Sequence, residues 1–308
     1  VLRELTSIIA GNNYALIHCH TPVVGGLTRL AARTARKNGT KVLYTAHGFH
    51  FYKGASFLNW LVFYPVEKIA SKWADCLITI NREDYELALN RGFKSHEIVY
   101  IPGVGVDLGR FTPVDSCAIS KIRAEYGYCD DDFLLLYAAE LNRNKHQDLL
   151  IRSVAEIARE VPTVRLLLAG EGPLMQDYKS LAAELGVSKH VDFVGYRNDI
   201  HRIVPMCDVI VASSYREGLP VNVMEAMACG KPIIATRNRG HVELVRQGEN
   251  GFLVEPDDYL SLAEYALSLF KDPDLRVGMG KKSYELVEPF SLSNVYSQMV
   301  SLYGRFLT

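Results

Sequence analysis

The chain has 308 residues, 48% hydrophobic and 22% charged, and 34 Lys and Arg balance 35 Asp and Glu to a formal net charge of −1. That length suits two globular domains, each able to bury a core. The charge balance excludes a global field for nucleic acid, no apolar run approaches the ~18 residues of a membrane-spanning helix, and no signal or transit peptide is visible.

The chain opens on Val1 rather than methionine, and Leu2, Leu5, Ile8 and Ile9 already follow helical spacing, so an upstream segment is expected. Short β-branched apolar runs then alternate with helical patterns. In the first third the strands are expected at 15–18, 42–45, 76–80 and 98–101, with helices at 27–37 and 59–73. From 133 on, strands are expected at 133–138, 164–169, 191–193, 209–212, 233–235 and 252–254, between helices at 147–160, 174–185, 221–229 and 259–270. Strands apolar on both faces that alternate with helices predict parallel sheets covered on both sides. The alternation pauses between 107 and 132, where Pro113, a short charged helix near 119–126 and the run Asp130-Asp131-Asp132 read as a linker. The expected division is therefore a first domain over 1–108, a linker over 109–132, a second domain over 133–290, and a C-terminal helix over 291–308 that packs back on the first domain. Two such domains would face each other across a cleft at their strands' carboxyl ends.

Six cysteines form no Cys-x-x-Cys pair and no zinc spacing, which fits free thiols in a reducing, cytoplasmic compartment. His18, His20 and His50 could form a metal cluster by composition, but their spacing matches no metal-ligand pattern. Arg29, Arg33, Arg36 and Lys37 fall on one side of a single helix over 27–37, either as a solvated face or as a basic face against anionic lipid. The aromatics of 49–64, among them Phe51, Phe57, Trp60 and Phe63, belong either to a core or to a surface that meets a lipid-linked acceptor.

The clearest chemistry lies in Ser213-Ser214-Tyr215-Arg216-Glu217-Gly218-Leu219-Pro220-Val221, which runs on through Asn222 and Met224 to Glu225 and Ala226. A strand ends in small polar residues, and a glycine and a proline lead into a helix. Free N–H groups of Gly218, Leu219 and Val221 at that helix start make an anion site. Glu217 and Glu225 are two turns apart, and carboxylates suit hydroxyl-rich ligands because each accepts paired hydrogen bonds. Taken alone, Glu217 would read as a helix cap and Glu225 as a solvated surface charge; the context favours the site.

The Glu217-x7-Glu225 spacing resembles the signature of retaining glycosyltransferases of family 4. So do, in order, Gly170-Glu171-Gly172-Pro173, Val191-Asp192-Phe193-Val194-Gly195, Gly230-Lys231-Pro232-Ile233, Arg239-Gly240-His241-Val242-Glu243 and Gly248-Glu249-Asn250-Gly251. Ile17-His18-Cys19-His20-Thr21-Pro22, Tyr44-Thr45-Ala46-His47-Gly48-Phe49-His50 and Ile80-Asn81-Arg82-Glu83-Asp84-Tyr85 resemble the branch that builds bacterial exopolysaccharide and capsule.

This resemblance implies an α/β GT-B fold, two Rossmann-like, doubly wound parallel-sheet domains facing a cleft. It also implies an N-terminal βα segment with a glycine-rich loop that precedes Val1. The implied activity is retaining transfer of a hexose or N-acetylhexosamine from a nucleotide sugar, UDP-linked by family habit, to a lipid-linked glycan. In relatives the residue at Glu217 contacts the transferred sugar, that at Glu225 the ribose, and the backbone after Gly218 the sugar and phosphate. Lys145 matches the lysine that meets the leaving diphosphate. The usual arginine position is Glu140, and Arg143 is expected to supply that guanidinium. His47 is expected near the anomeric carbon, with Gly172 and the backbone of Tyr196 near the nucleotide. No Asp-x-Asp bridges a metal and diphosphate, so no metal and no cofactor beyond the sugar nucleotide is expected. Peripheral contact with the inner face of the plasma membrane fits the acceptor; nucleic acid does not. The competing readings are a GT-B sugar-nucleotide epimerase and a truncated, inactive nucleotide-binding subunit.

Overall fold

The structure, a computed structural model, describes residues 1–307. The chain forms two compact units, Val1–Val104 with residues 293–307, and Gly105–Leu292.

In the first unit the order is α1 (Leu2–Gly11), β1 (Leu16–His20), α2 (Pro22–Ala31), α3 (Arg33–Lys37), β2 (Lys41–Ala46), α4 (Phe57–Ala70), β3 (Cys76–Thr79), α5 (Arg82–Asn90) and β4 (Glu97–Tyr100). The four strands pair in parallel in the order β1-β2-β3-β4. Alternate residues of β2 and β3 enter different cores. Tyr44, Ala46 and Leu77 join Phe49, Phe51 and Phe93, whereas Leu43, Cys76 and Ile78 join Ile101.

The second unit runs α6 (Ser116–Glu125), β5 (Phe133–Ala138), α7 (Gln147–Ile157), β6 (Val164–Ala169), α8 (Met175–Glu184), β7 (Val191–Gly195), α9 (Ile200–Met206), β8 (Val209–Ala212), α10 (Val221–Ala228), β9 (Ile233–Thr236), α11 (Arg239–Leu244), β10 (Gly251–Val254), α12 (Tyr259–Lys271) and α13 (Pro273–Leu286). Its parallel sheet has the order β10-β9-β8-β5-β6-β7. The chain winds outward from β5 through β7, returns to β8 beside β5, and winds outward again. That reversal opens a crevice at the carboxyl ends of β5 and β8, where doubly wound sheets bind ligands. The last helix, α14 (Leu292–Leu307), belongs to the first unit, where Val295 and Leu302 complete the core of Leu43, Cys76 and Ile78.

Three expectations change. The stretch 109–132 is not a free linker: Asp115 caps α6 by accepting from Ala118 N at 2.8 Å, and the buried Arg123 ties the segment to the second sheet. Its guanidinium donates to Met206 O, Asp130 O and Asp132 O and pairs with Asp208 at 2.8 Å. Asp208 in turn accepts from Leu134 N at the start of β5. The unit accordingly begins before 133, at Gly105.

The basic helix is also not one helix. It breaks between α2 and α3, and Arg29 points inward, 1% exposed, to pair with Glu67 at 2.8 Å under the Tyr44 ring. Arg36 forks onto Asp75. Apolar surroundings and these carboxylates draw the two arginines off any common solvent face. The aromatics of 49–64 divide as well. Phe49 and Phe51 are buried, with Trp60, Phe63 and Tyr64 packed on them, while Phe57 is exposed. No helix among the described residues is long and apolar enough to cross a membrane.

Removing one partner of a buried, hydrogen-bonded ion pair leaves the other uncompensated. Arg123→Ala is therefore expected to cost about 3–5 kcal/mol in urea unfolding; a loss within ordinary surface values would show that the segment is not fastened to the sheet.

Candidate active site

The crevice of the second unit is built from the loop after β5, which carries Lys145, and the loop after β8, which carries Glu217. Lys145 Nζ donates to Glu217 Oε1 at 2.5 Å. Ser214 Oγ donates to the same oxygen at 2.6 Å. Ser214 has one proton, so the 2.6 Å bond between Tyr137 and Ser214 must run from the phenol to the serine. Burial holds the Tyr137 phenol well above its usual range, which keeps that proton in place. A chain of donors thus leads from Tyr137 on β5 through Ser214 to Glu217. The other oxygen, Oε2, has no partner among the described residues.

The two loops are sewn together by hydrogen bonds to backbone oxygens. Tyr215 N donates to Asn144 O at 2.8 Å, Asn144 Nδ2 to Arg216 O at 3.0 Å, and Ser213 Oγ to Lys145 O at 2.7 Å. From the other side, Thr236 Oγ1 and Asn238 Nδ2 donate to Ser214 O, and Arg239 Nε donates to Glu217 O at 3.1 Å. A Cβ on Gly240 would sit 2.7 Å from Glu217 Cβ, so only glycine lets α11 close on this loop.

α10 starts at Val221 with Pro220 at its cap and no side-chain cap. The N–H groups of Gly218, Leu219 and Val221 meet no acceptor among the described residues. This leaves them free for an anion. Glu225 sits a turn further on, half-buried. Burial raises its pKa to about 7, against a smaller pull downward from Arg110. Arg110 also donates to Asn198 O at 3.1 Å.

The remaining expected residues lie as follows. Arg143 is exposed and has no ion-pair partner among the described residues. Gly172 lets its loop pass over the backbone of Leu141, whose oxygen would be 2.3 Å from an added Cβ. Tyr196 is exposed just after Gly195, which has φ 69°. His47 belongs to the first unit, after β2. His20 Nδ1 lies 3.0 Å from its Nε2, and burial and then His20 lower its pKa. His18 bonds Tyr303 and Thr45 through its two ring nitrogens, and burial, then His20 and His47, pull it down to about 4. Those bonds occupy His18 and leave it no free nitrogen for a metal.

Sequence reasoning missed Ser214, Tyr137, Arg239 and Arg110. Ser214 was detectable: Ser-x-x-Glu places a hydroxyl within reach of a carboxylate three residues on. Tyr137 reads as one more apolar strand residue, and nothing in the local sequence links Arg110 to Glu225.

A doubly wound fold with charged side chains and free amides at the switch point of its sheet suits a group-transfer enzyme, and comparison fixes the class. Residues 118–286 match the family of glycosyl transferases group 1, and residues 1–103 match the glycosyl transferase 4-like domain. The chain belongs to this family and is a glycosyltransferase of GT-B fold. It is 46% identical over 307 residues to the putative glycosyltransferase EpsD of Bacillus subtilis, covering 100% of this chain and 81% of that protein. It is 27% identical over 305 residues to the UDP-Gal:alpha-D-GlcNAc-diphosphoundecaprenol alpha-1,3-galactosyltransferase of Escherichia coli, covering 98% and 78%. In architecture it resembles the crystal structure of Anabaena HepE in complex with UDP, with a TM-score of 0.86, 23% identity and coverage of 98% and 82%.

Two outcomes follow from the geometry. Gly240→Ala must push Glu217 aside and is expected to lower turnover by roughly tenfold to a hundredfold with unchanged circular dichroism; full turnover would contradict the close packing. Glu225 keeps a proton in the folded state that the unfolded chain releases, so its contribution to stability is full below the ordinary carboxyl value of 4.5 and is lost as pH rises through about 7. The stability gained by Glu225→Gln over wild type should grow across that window in urea titrations, and a pH-independent difference would show that Glu225 is solvated.

Proposed function

We propose that the chain transfers a hexose or N-acetylhexosamine, with retention and without a metal ion, from a UDP-sugar to a glycan carried on a lipid diphosphate, in exopolysaccharide or capsule assembly at the inner face of the plasma membrane. One observation carries the reading: Glu217 has one oxygen tied by Ser214 and Lys145 and the other open, four residues before the uncapped start of α10. The open oxygen suits a sugar hydroxyl, and the amides suit a phosphate. The Escherichia coli relative, named for a UDP-sugar and a diphosphoundecaprenol-linked acceptor, supports the donor and acceptor classes. The family resemblance supports retention and the exopolysaccharide branch.

In this reading the bond from the anomeric carbon to the donor phosphate oxygen breaks while the acceptor oxygen bonds to the same face. The acceptor's proton passes to the departing phosphate oxygen. Lys145, Arg143 and the N–H groups of Gly218, Leu219 and Val221 meet the charge that gathers on the leaving diphosphate, so the residues themselves supply the positive field. Glu217 orients the sugar rather than attacking it, since Lys145 and Ser214 already draw on its charge. Glu225 holds the ribose, with Gly172 and the Tyr196 backbone lining the nucleotide. For His47, a role at the sugar rests on the resemblance and on its place after β2.

The test is a screen of UDP- and GDP-sugars with a lipid-diphosphate glycan, reading nucleotide release and product. Glu217→Ala should abolish transfer with the fold intact; an active variant would reject the site. Glu225→Ala should weaken UDP binding more than it slows turnover, and unchanged affinity would remove the ribose role. Transfer should survive EDTA, and its loss there would overturn the metal-independent mechanism.

A further inference from the structure

A helix on the surface of a globular unit normally turns polar residues outward. α4 does the reverse. Its inner face, with Trp60, Phe63, Tyr64 and Glu67, packs on the first unit. Its outer face carries Phe57, Leu58, Leu61, Val62, Val66 and Ile69 at i, i+1, i+4, i+5, i+9 and i+12, each more than half exposed and Phe57 77% exposed. The remaining outward position is Pro65, so no polar side chain interrupts the stripe. Val23 and Val24, at the start of the neighbouring helix α2, are also more than half exposed. An apolar surface this continuous on a folded unit marks a contact with something else.

The charges around it say what. Between residues 5 and 74 the only acid is Glu67, against eight Lys and Arg. Glu67 is buried on Arg29, and Arg36 is taken by Asp75. Among the described residues six cations remain without a carboxylate partner: Arg33, Lys37, Lys41, Lys53, Lys68 and Lys72. Lys53 precedes the stripe, Lys68 and Lys72 close its far end, and Arg33 lies over the Trp73 ring beyond them, 5.0 Å from its centroid. The net charge of the whole chain is −1, so this positive excess is local. An apolar helix face flanked by lysine, arginine and tryptophan is complementary to an anionic bilayer, with side chains in the acyl boundary and ammonium groups among the headgroups.

We propose that the outward face of α4 docks this protein on an anionic membrane surface, with the helix lying in the interface. This deepens the reading of a membrane-borne acceptor and rests on it only for its purpose, because docking needs neither donor nor acceptor.

The test is flotation of the full chain with vesicles of phosphatidylcholine alone and of phosphatidylcholine with phosphatidylglycerol. The chain is expected to float with the anionic vesicles, less so in high salt, and hardly with the neutral ones. Leu61→Glu/Val66→Glu, at exposed positions where folding is unaffected, should reduce that binding by about tenfold or more, and Lys53→Glu/Lys72→Glu should reduce its salt-sensitive part. UDP affinity of both variants should equal wild type, so a failed donor reading and a failed docking face give different results. The proposal is overturned if the folded chain ignores anionic vesicles, or if it binds them as well with Leu61→Glu/Val66→Glu. It is also overturned if sedimentation shows a dimer that this variant splits, since a second copy would then cover the face.

Discussion

A single carboxylate oxygen, Oε1 of Glu217, receives two donors, and the arrangement of the second unit is the means of bringing them together. Lys145 arrives from the loop after β5 and Ser214 from the loop after β8. These strands are far apart in sequence and adjacent only because the sheet reverses its winding between them. Tyr137 inside β5 supplies the proton that frees Ser214 to donate. α11 presses on the same loop through a glycine that leaves no room for a methyl group. Each constraint removes freedom from one side chain, and such fixing makes a polar group useful at the moment charge moves.

The first unit solves a different problem. It buries a guanidinium and a carboxylate, and it stabilises them by mutual pairing under Tyr44, whose hydroxyl also donates to Glu67 at 2.9 Å. Such a pair gives little net stability compared with an apolar core, but it is selective about geometry. It fastens α2 to α4 in one register, which fixes which face of α4 looks outward. Nearby, His18, His20 and His47 crowd together, and burial disfavours charge on each of them. The ends of β1 and β2 therefore present hydrogen-bonding groups rather than a positive patch.

The parallel sheets were legible in the sequence because strands such as 133–138 and 209–212 are apolar on both faces, a pattern that local chemistry alone produces. The stretch around Glu217 was legible for a similar reason: strand end, glycine, proline and helix start occur in one short run. Arg29 was not. Helical spacing put it with Arg33 and Arg36, and only the distant Glu67 turns it inward. The linker expectation fails because the polar composition of 109–132 hides one arginine whose partners lie some eighty residues away, at Met206 and Asp208. Tyr137 and Arg110 escaped notice for the same reason: their roles are set by neighbours that only the folded sheet supplies.

The path of the chain through the units bears on how the protein is made. Residues 105–292 form an uninterrupted stretch, whereas the first unit is split and recovers its last helix from the far end of the chain. Leu43, Cys76 and Ile78 wait for Val295 and Leu302 to cover them. On a ribosome that emits the N-terminus first, the later unit can finish folding before the earlier one closes its core. Until translation reaches α14, one side of the first sheet is bare, and that interval is when the nascent chain is most exposed to chaperones and to misassociation.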